Sequence, residues 1–180
     1  MFLKQSEGST VSVKYLMSLS FVAIDFETAT AYRHSACAIG IVTVEHGIIA
    51  DEYYTLIQPP GNYYLWQNVR VHGITANDTK FAPLFKDIYP EIKQKLESKI
   101  VVAHNESFDR SVLTKTMQHY YLNYTDLNLA ERWECTWKIY RDKGFSPANL
   151  NSCCARLGIT LKHHEALSDA RGCAKLYLLK

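Results

Sequence analysis

Residues 21–28, Phe21-Val22-Ala23-Ile24-Asp25-Phe26-Glu27-Thr28, begin as an unbroken apolar run and then set two carboxylates two positions apart. A continuous apolar run is how a strand covered on both faces reads, so the segment predicts a central strand with packed layers on either side. Side chains at i and i+2 share one face of a strand, which places Asp25 and Glu27 side by side. Two like charges leaving a buried strand repel each other and lose hydration unless something neutralises them. A divalent cation does so, because hard carboxylate oxygens are its preferred ligands. A strand end that releases both acids into water explains the same eight residues. The rest of the chain has to decide between the two.

Residues 36–44 form a second β run. His46-Gly47 reads as a tight turn into a hairpin partner over Ile48 to Ile57. Three antiparallel strands therefore open the fold. Gln58-Pro59-Pro60-Gly61-Asn62 breaks the sheet. The aromatic cluster Tyr63, Tyr64 and Trp66 suits packing more often than base stacking. A helix over 83–97 carries Leu84, Ile88, Ile92 and Leu96 every fourth residue, and Pro90 inside that stripe predicts a kink or break. Ile100 to Ala103 is a second short buried strand, followed by a helix over 107–120. A short strand ends at Cys135-Thr136. Further helices are expected over 137–141, over 150–157 with Gly158 closing it, and over 166–179. Strands with intervening helices after an antiparallel start predict an α/β fold: a mixed sheet flanked by helices. Sites in such sheets gather at the carboxyl ends of central strands, where Asp25 and Glu27 lie.

A chain of 180 residues with 47% hydrophobic and 21% charged content suits one globular domain. We place that domain at 19–180, behind a flexible leader over 1–18 in which Gln5 to Thr10 are coil formers. The net charge of +2 excludes a strongly basic nucleic-acid coat. An enzyme gripping only the last nucleotides of a strand needs no such coat. Five cysteines, an odd number without a C-x-x-C pair, argue against a zinc cluster or disulfide framework and for a reducing cytoplasm. The apolar stretch from Tyr15 stops at Asp25, far short of the ~20 residues of a membrane span, so no membrane association is expected.

Asp109, in the first turn of its helix, and Asp169, near the start of the last helix, would each alone pass for a dipole-compatible or capping residue. His164 alone would be a surface loop histidine. Taken jointly, four acids each sit at or near the end of a buried element, and His164 precedes the last of them by five residues. The ordered motifs Asp25-x-Glu27-Thr28, Val102-Ala103-His104-Asn105-x-x-Phe108-Asp109 and His164-x-Ala166-x-x-Asp169 resemble those of the DEDDh (DnaQ-like) 3′→5′ exonucleases of the RNase H-like superfamily. Val71-His72-Gly73-Ile74-Thr75 is similar to the family's segment near the terminal nucleotide, and Cys135-Thr136 matches a common family position. Proofreading members often carry Gly soon after the first motif, where this chain has Ala29 and Thr30. Position 165 is Glu165 rather than the tyrosine of the sister group, which favours the histidine subtype. His163 is a neighbour that assists or caps.

The resemblance implies an RNase H-like fold and a metal-dependent exonuclease releasing nucleoside monophosphates from single-stranded or frayed DNA 3′ ends, with roles in replication or repair. An exoribonuclease of the same fold is the alternative, and a catalytically silent nucleic-acid-binding module is argued against by the intact constellation. Two divalent cations ~3.5–4 Å apart stabilise the attacking and leaving oxygens in such chemistry. Mg²⁺ suits an all-carboxylate site, and Mn²⁺ is expected to substitute. By resemblance, Asp25, Glu27 and Asp169 hold one ion, while Asp25 bridges to a second that Asp109 serves. His164 is then the general base, its pKa expected to be raised by the carboxylates around it. Thr28, Val71 and His72 are expected to embrace the terminal nucleotide, and Asn105 and Phe108 the penultimate one, with plain core as the competing role for Val71 and Phe108. Association with a DNA polymerase is compatible with the resemblance and is not supported by any segment of the chain.

Overall fold

The computed structural model describes residues 19–130 and 133–180. The leader expected over 1–18 lies outside the described residues. Five strands form one mixed sheet: β1 (Phe21–Thr28), β2 (Ala36–Glu45), β3 (Ile48–Leu56), β4 (Val101–Ala103) and β5 (Glu134–Cys135), in the order β3-β2-β1-β4-β5. The first three are antiparallel, and β4 and β5 join in parallel, as the sequence pattern implied. His46 and Gly47 both take positive φ, 52° and 76°, the backbone a two-residue hairpin needs to match strand twist.

Alternation along β1 divides the core. Val22, Ile24 and Phe26 face one layer with Ile39 and Ile41, against α3 (Phe85–Leu96) and α4 (Glu106–His119). Phe21 and Ala23 face the other, with Val42, Val44 and Val102, against α7 (Ala166–Leu178). Burying such side chains stabilises by about 1.5–3 kcal/mol each, which fixes the register that aims Asp25 and Glu27. A third cluster, Tyr140, Leu150, Cys153, Cys154 and Leu176, ties α5 (Thr136–Asp142) and α6 (Leu150–Arg156) to α7. All five cysteines are free and buried.

Two expectations need correction. The break at Pro90 does not occur, and α3 runs through it. Pro90 is exposed, so the carbonyl it leaves without a partner faces water, while buried Phe85, Ile88, Ile92 and Leu96 hold the helix from the other side. Leu84, expected in the apolar stripe, is instead the cap residue, its N–H donating to Asp87 Oδ2 at 3.1 Å. The sequence pattern also missed α1 (Trp66–His72), which has no buried residue and therefore no apolar stripe to betray it. A one-turn helix, α2 (Ala76–Thr79), follows. Among the described residues, no helix is long and apolar enough to cross a membrane.

Candidate active site

The carboxyl end of β1 opens into a cleft of about 750 Å³. Asp25 and Glu27 form part of its lining from one face of β1, and Asp169 is brought over them by the first turn of α7. One carboxylate oxygen from each of these three lies within 4.8 Å of the others. Asp109 approaches from α4, where its Oδ1 accepts the Phe26 N–H at 3.0 Å. That bond links residues 83 positions apart and locks α4 against the strand bearing the other acids.

The close approach of these acids shows in their proton affinities. Burial raises the pKa of Asp25 well above the usual carboxylate range, and the charges of Asp109, Glu27 and Asp169 add to it. Glu27 is pushed up to about 7 by burial and by Asp169. Burial also raises Asp109, although the Phe26 N–H opposes it, and raises Asp169 against the His164 N–H and His163. Four carboxylates that each resist ionisation, first through burial and for Asp25, Glu27 and Asp109 also through acid neighbours, form a site short of positive charge. Asp169 Oδ1 is buried without a hydrogen-bond partner, and the Asp25–Glu27–Asp169 group offers carboxylate oxygens, while His163 and His164 form a second group with Asp169. Those features fit a hard divalent cation.

On the other side of Asp169, its Oδ2 accepts the His164 backbone N–H at 3.0 Å and lies 2.9 Å from His163 Nδ1. The two imidazoles stack with centroids 3.8 Å apart. His164 holds a left-handed φ of 65°, unusual for a side chain of its size and sustained here by the bond to Asp169. Both rings stand at the cleft, and His163 carries the direct contact to the acid. The His164 pKa is lowered rather than raised: desolvation and the adjacent His163 outweigh Asp169. Carboxylate neighbours alone were the wrong guide, because the cost of holding a charged imidazole partly out of water outweighs the pull of Asp169.

Thr28, Val71, His72, Asn105 and Phe108 all line the same cleft. Val71 is 52% exposed, so it is not core. Phe108 rests partly buried on the main core, with the Arg33 guanidinium 4.1 Å over its ring. His72 Nδ1 accepts the Ile74 N–H at 3.0 Å, which leaves the proton on Nε2, 3.2 Å from the Thr28 carbonyl. The Thr28 carbonyl also accepts from Asn68 Nδ2 at 2.8 Å. Through these bonds α1 clamps the end of β1, next to the irregularity in strand register between Glu27 and Thr28. Asn105 caps α4 in a left-handed conformation, φ 66°, which asparagine tolerates better than most residues.

Sequence reasoning missed Asn68, because the helix that presents it carries no pattern. It also gave no role to His104, whose Nδ1 lies 2.9 Å from Thr136 Oγ1 and whose pKa burial depresses to about 4. That contact gives buried Thr136 a structural task behind His104, which lines the cleft. Gly40 was overlooked too. A Cβ there would overlap the backbone of Ala166 and Leu167 at the start of α7. A glycine inside a β run is itself a signal of close backbone approach.

The family model described as exonuclease, of the RNase T group, matches residues 22–177. A PolC-type DNA polymerase III from Thermotoga petrophila is 30% identical over 170 residues, 88% of this chain. The chain spans only 12% of that relative's length. The DNA polymerase III subunit epsilon of Aquifex aeolicus is 27% identical over 183 residues, covering 98% of this chain and 87% of the relative. Among solved structures, exonuclease X in complex with 5′ overhanging duplex DNA superposes with a TM-score of 0.69 at 25% identity, covering 88% of this chain and 89% of the other. The nuclease domain of 3′hExo, a DEDDh family member bound to rAMP, has the same fold, with a TM-score of 0.75, 19% identity and coverage of 89% and 90%. With an RNase H-like mixed sheet, the motif acids gathered at its carboxyl end and a family match across nearly the whole described domain, the chain belongs to the DEDDh, DnaQ-like exonuclease family.

Proposed function

We propose that the protein is a metal-dependent 3′→5′ exonuclease that releases nucleoside monophosphates from single-stranded or frayed DNA ends. The observation that carries this reading is the meeting of Asp25, Glu27 and Asp169 within 4.8 Å, beside Asp109, at the floor of an open cleft. Exonucleases of this family use divalent metal ions. Asp25, Glu27, Asp109 and Asp169 are the residues that would hold them, with Mg²⁺ the expected ion and Mn²⁺ a substitute. Divalent cations bound there supply neutralisation of these carboxylates and Lewis acidity toward a phosphodiester.

The chain's own groups do the rest. His164 takes the proton of the attacking water, a task its lowered pKa suits because the imidazole is then neutral at neutral pH. His163 and the His164 N–H fix the orientation of Asp169. Thr28, Val71 and His72 form the wall for the terminal nucleotide, and Asn105 and Phe108 the wall for the next one. Service beside a polymerase in replication or repair is compatible with the polymerase III relatives. DNA is favoured over RNA on the same ground.

Degradation of single strands labelled at the 3′ or the 5′ end, DNA and RNA in parallel, with Mg²⁺, Mn²⁺ or EDTA, tests the reading. Immediate release of the 3′ label as a mononucleotide, abolished by EDTA, is expected. Cleavage insensitive to EDTA overturns the metal mechanism. Internal nicking overturns the polarity, and preference for RNA moves the assignment to exoribonuclease.

A further inference from the structure

The loop between β1 and β2 projects three large side chains, Tyr32, Arg33 and His34, beside α4. Hydrogen bonds within the loop hold it in shape. Thr30 Oγ1 and Ser35 Oγ are 2.9 Å apart, the Tyr32 N–H donates to Thr30 Oγ1 at 3.1 Å, and Ser35 Oγ donates to the Tyr32 carbonyl at 2.6 Å. Thr116 Oγ1 on α4 donates to the Arg33 carbonyl at 3.4 Å. Rings then continue from loop to helix. Tyr32 stacks on His34 at 5.6 Å, and His34 stacks on His119 at 5.1 Å with planes only 9° apart. His119 is backed edge-on by Tyr120, whose ring stacks on buried Phe85. The ladder is therefore anchored in the core, yet Tyr32 is 70% exposed and His119 is exposed as well.

The loop that begins this ladder also reaches a residue of the cleft. Arg33 lies over Phe108, a cleft residue, at 4.1 Å. Phe108 and His119 are eleven residues apart on α4, about three helical turns, so they share a face and stand roughly 16 Å apart. That span matches about five nucleotides at the ~3.4 Å rise of a stacked strand. Sequence-tolerant binding of single strands combines cationic groups with exposed π-faces on which successive bases stack.

We propose that Tyr32, Arg33, His34 and His119 form a stacking track that receives the nucleotides upstream of the scissile phosphate. The track rests on the nuclease reading above, because that reading seats the penultimate nucleotide at Asn105 and Phe108, and α4 leads from there to His119. Its occupant is single-stranded nucleic acid several nucleotides long, continuous with the strand in the cleft.

Steady-state kinetics on two substrates test it. Thymidine 5′-monophosphate p-nitrophenyl ester fills only the cleft, whereas octathymidylate reaches the end of the track. The double variant Tyr32→Ala/His119→Ala is expected to raise KM for octathymidylate about tenfold or more with kcat unchanged, and to leave ester hydrolysis as in the wild type. Tyr32→Phe/His119→Phe keeps the π-faces and is expected to restore most of the affinity. An octathymidylate KM unmoved by the alanine pair overturns the track while the nuclease reading stands. Equal losses on both substrates, with a lowered Tm, reduce the ladder to a brace for the loop and overturn it too. A wild type that hydrolyses neither substrate sinks the nuclease reading and the track together.

Discussion

Asp25 is paired with Gly40 across the β1–β2 ladder, and the start of α7 occupies the space where a side chain at position 40 would stand. The missing side chain lets the helix carrying Asp169 descend onto the strand carrying Asp25 and Glu27. Gly40→Ala puts a methyl group into the Ala166 carbonyl and the Leu167 backbone, so α7 has to shift. We expect a stability loss of about 1–3 kcal/mol from overpacking. A displacement of Asp169 by about 1 Å costs roughly 10²-fold in rate, which exceeds what the folded fraction alone explains. Thermal melts with kcat/KM on the same sample check this, and an unchanged Tm with full activity sinks it.

How much of this was legible beforehand follows from which residues carry periodic signals. β1 announced itself because both its faces are buried, and α4 and α7 because each follows a buried strand or a motif acid at fixed spacing. The acids could be assembled only jointly, since each alone has an ordinary reading at a strand or helix end. What stayed hidden lacks side-chain pattern. Gly40 acts through an absent atom, α1 buries nothing, and Asn68 works through bonds to the Thr28 carbonyl. Pro90 misled because the exposed side of α3 absorbs its missing donor.

The two imidazoles at the cleft separate by mutation. His164→Ala is expected to lower kcat by about 10²–10⁴-fold, the usual contribution of a general base, while strand binding persists. His163→Ala removes the ring contact to Asp169 but leaves the His164 N–H on the same oxygen, so a loss of about tenfold is expected. Because the His164 pKa is lowered, the base is deprotonated at lower pH than a free imidazole. The acid limb of kcat against pH should then fall below the ordinary value of ~6.5. Full turnover in His164→Ala, with collapse in His163→Ala, would show that the other ring is the base.

Asp109 has two separable duties. Its Oδ1 satisfies the Phe26 N–H, and its charge belongs to the acid cluster. Asp109→Asn keeps an acceptor and removes the charge, so the fold is expected to survive and activity to be lost. Asp109→Ala leaves the strand N–H without a partner in a buried place, at a further cost of about 1–3 kcal/mol in stability. Urea melts of the pair distinguish the duties; equal stability of the two variants would remove the structural one.

The acid cluster also ties stability to pH and to metal. Glu27 has an ordinary pKa of 4.5 when unfolded and about 7 when folded, raised first by burial and then by Asp169. Between those values the folded state binds more protons than the unfolded one, so stability falls as pH rises through the window. For Glu27 the shift corresponds to roughly 3 kcal/mol, and Asp25, Asp109 and Asp169 are raised in the same direction. In EDTA, Tm is therefore expected to be several degrees lower at pH 8 than at pH 5. Mg²⁺ or Mn²⁺ binds the ionised carboxylates and not the protonated ones, so added metal should raise Tm strongly at pH 8 and little at pH 5. Asp25→Ala removes the central charge and should abolish both the metal response and catalysis. Calorimetric scans at the two pH values, with and without metal, decide the matter. A metal shift of equal size at both would mean that the cations stabilise the fold somewhere other than on these four acids.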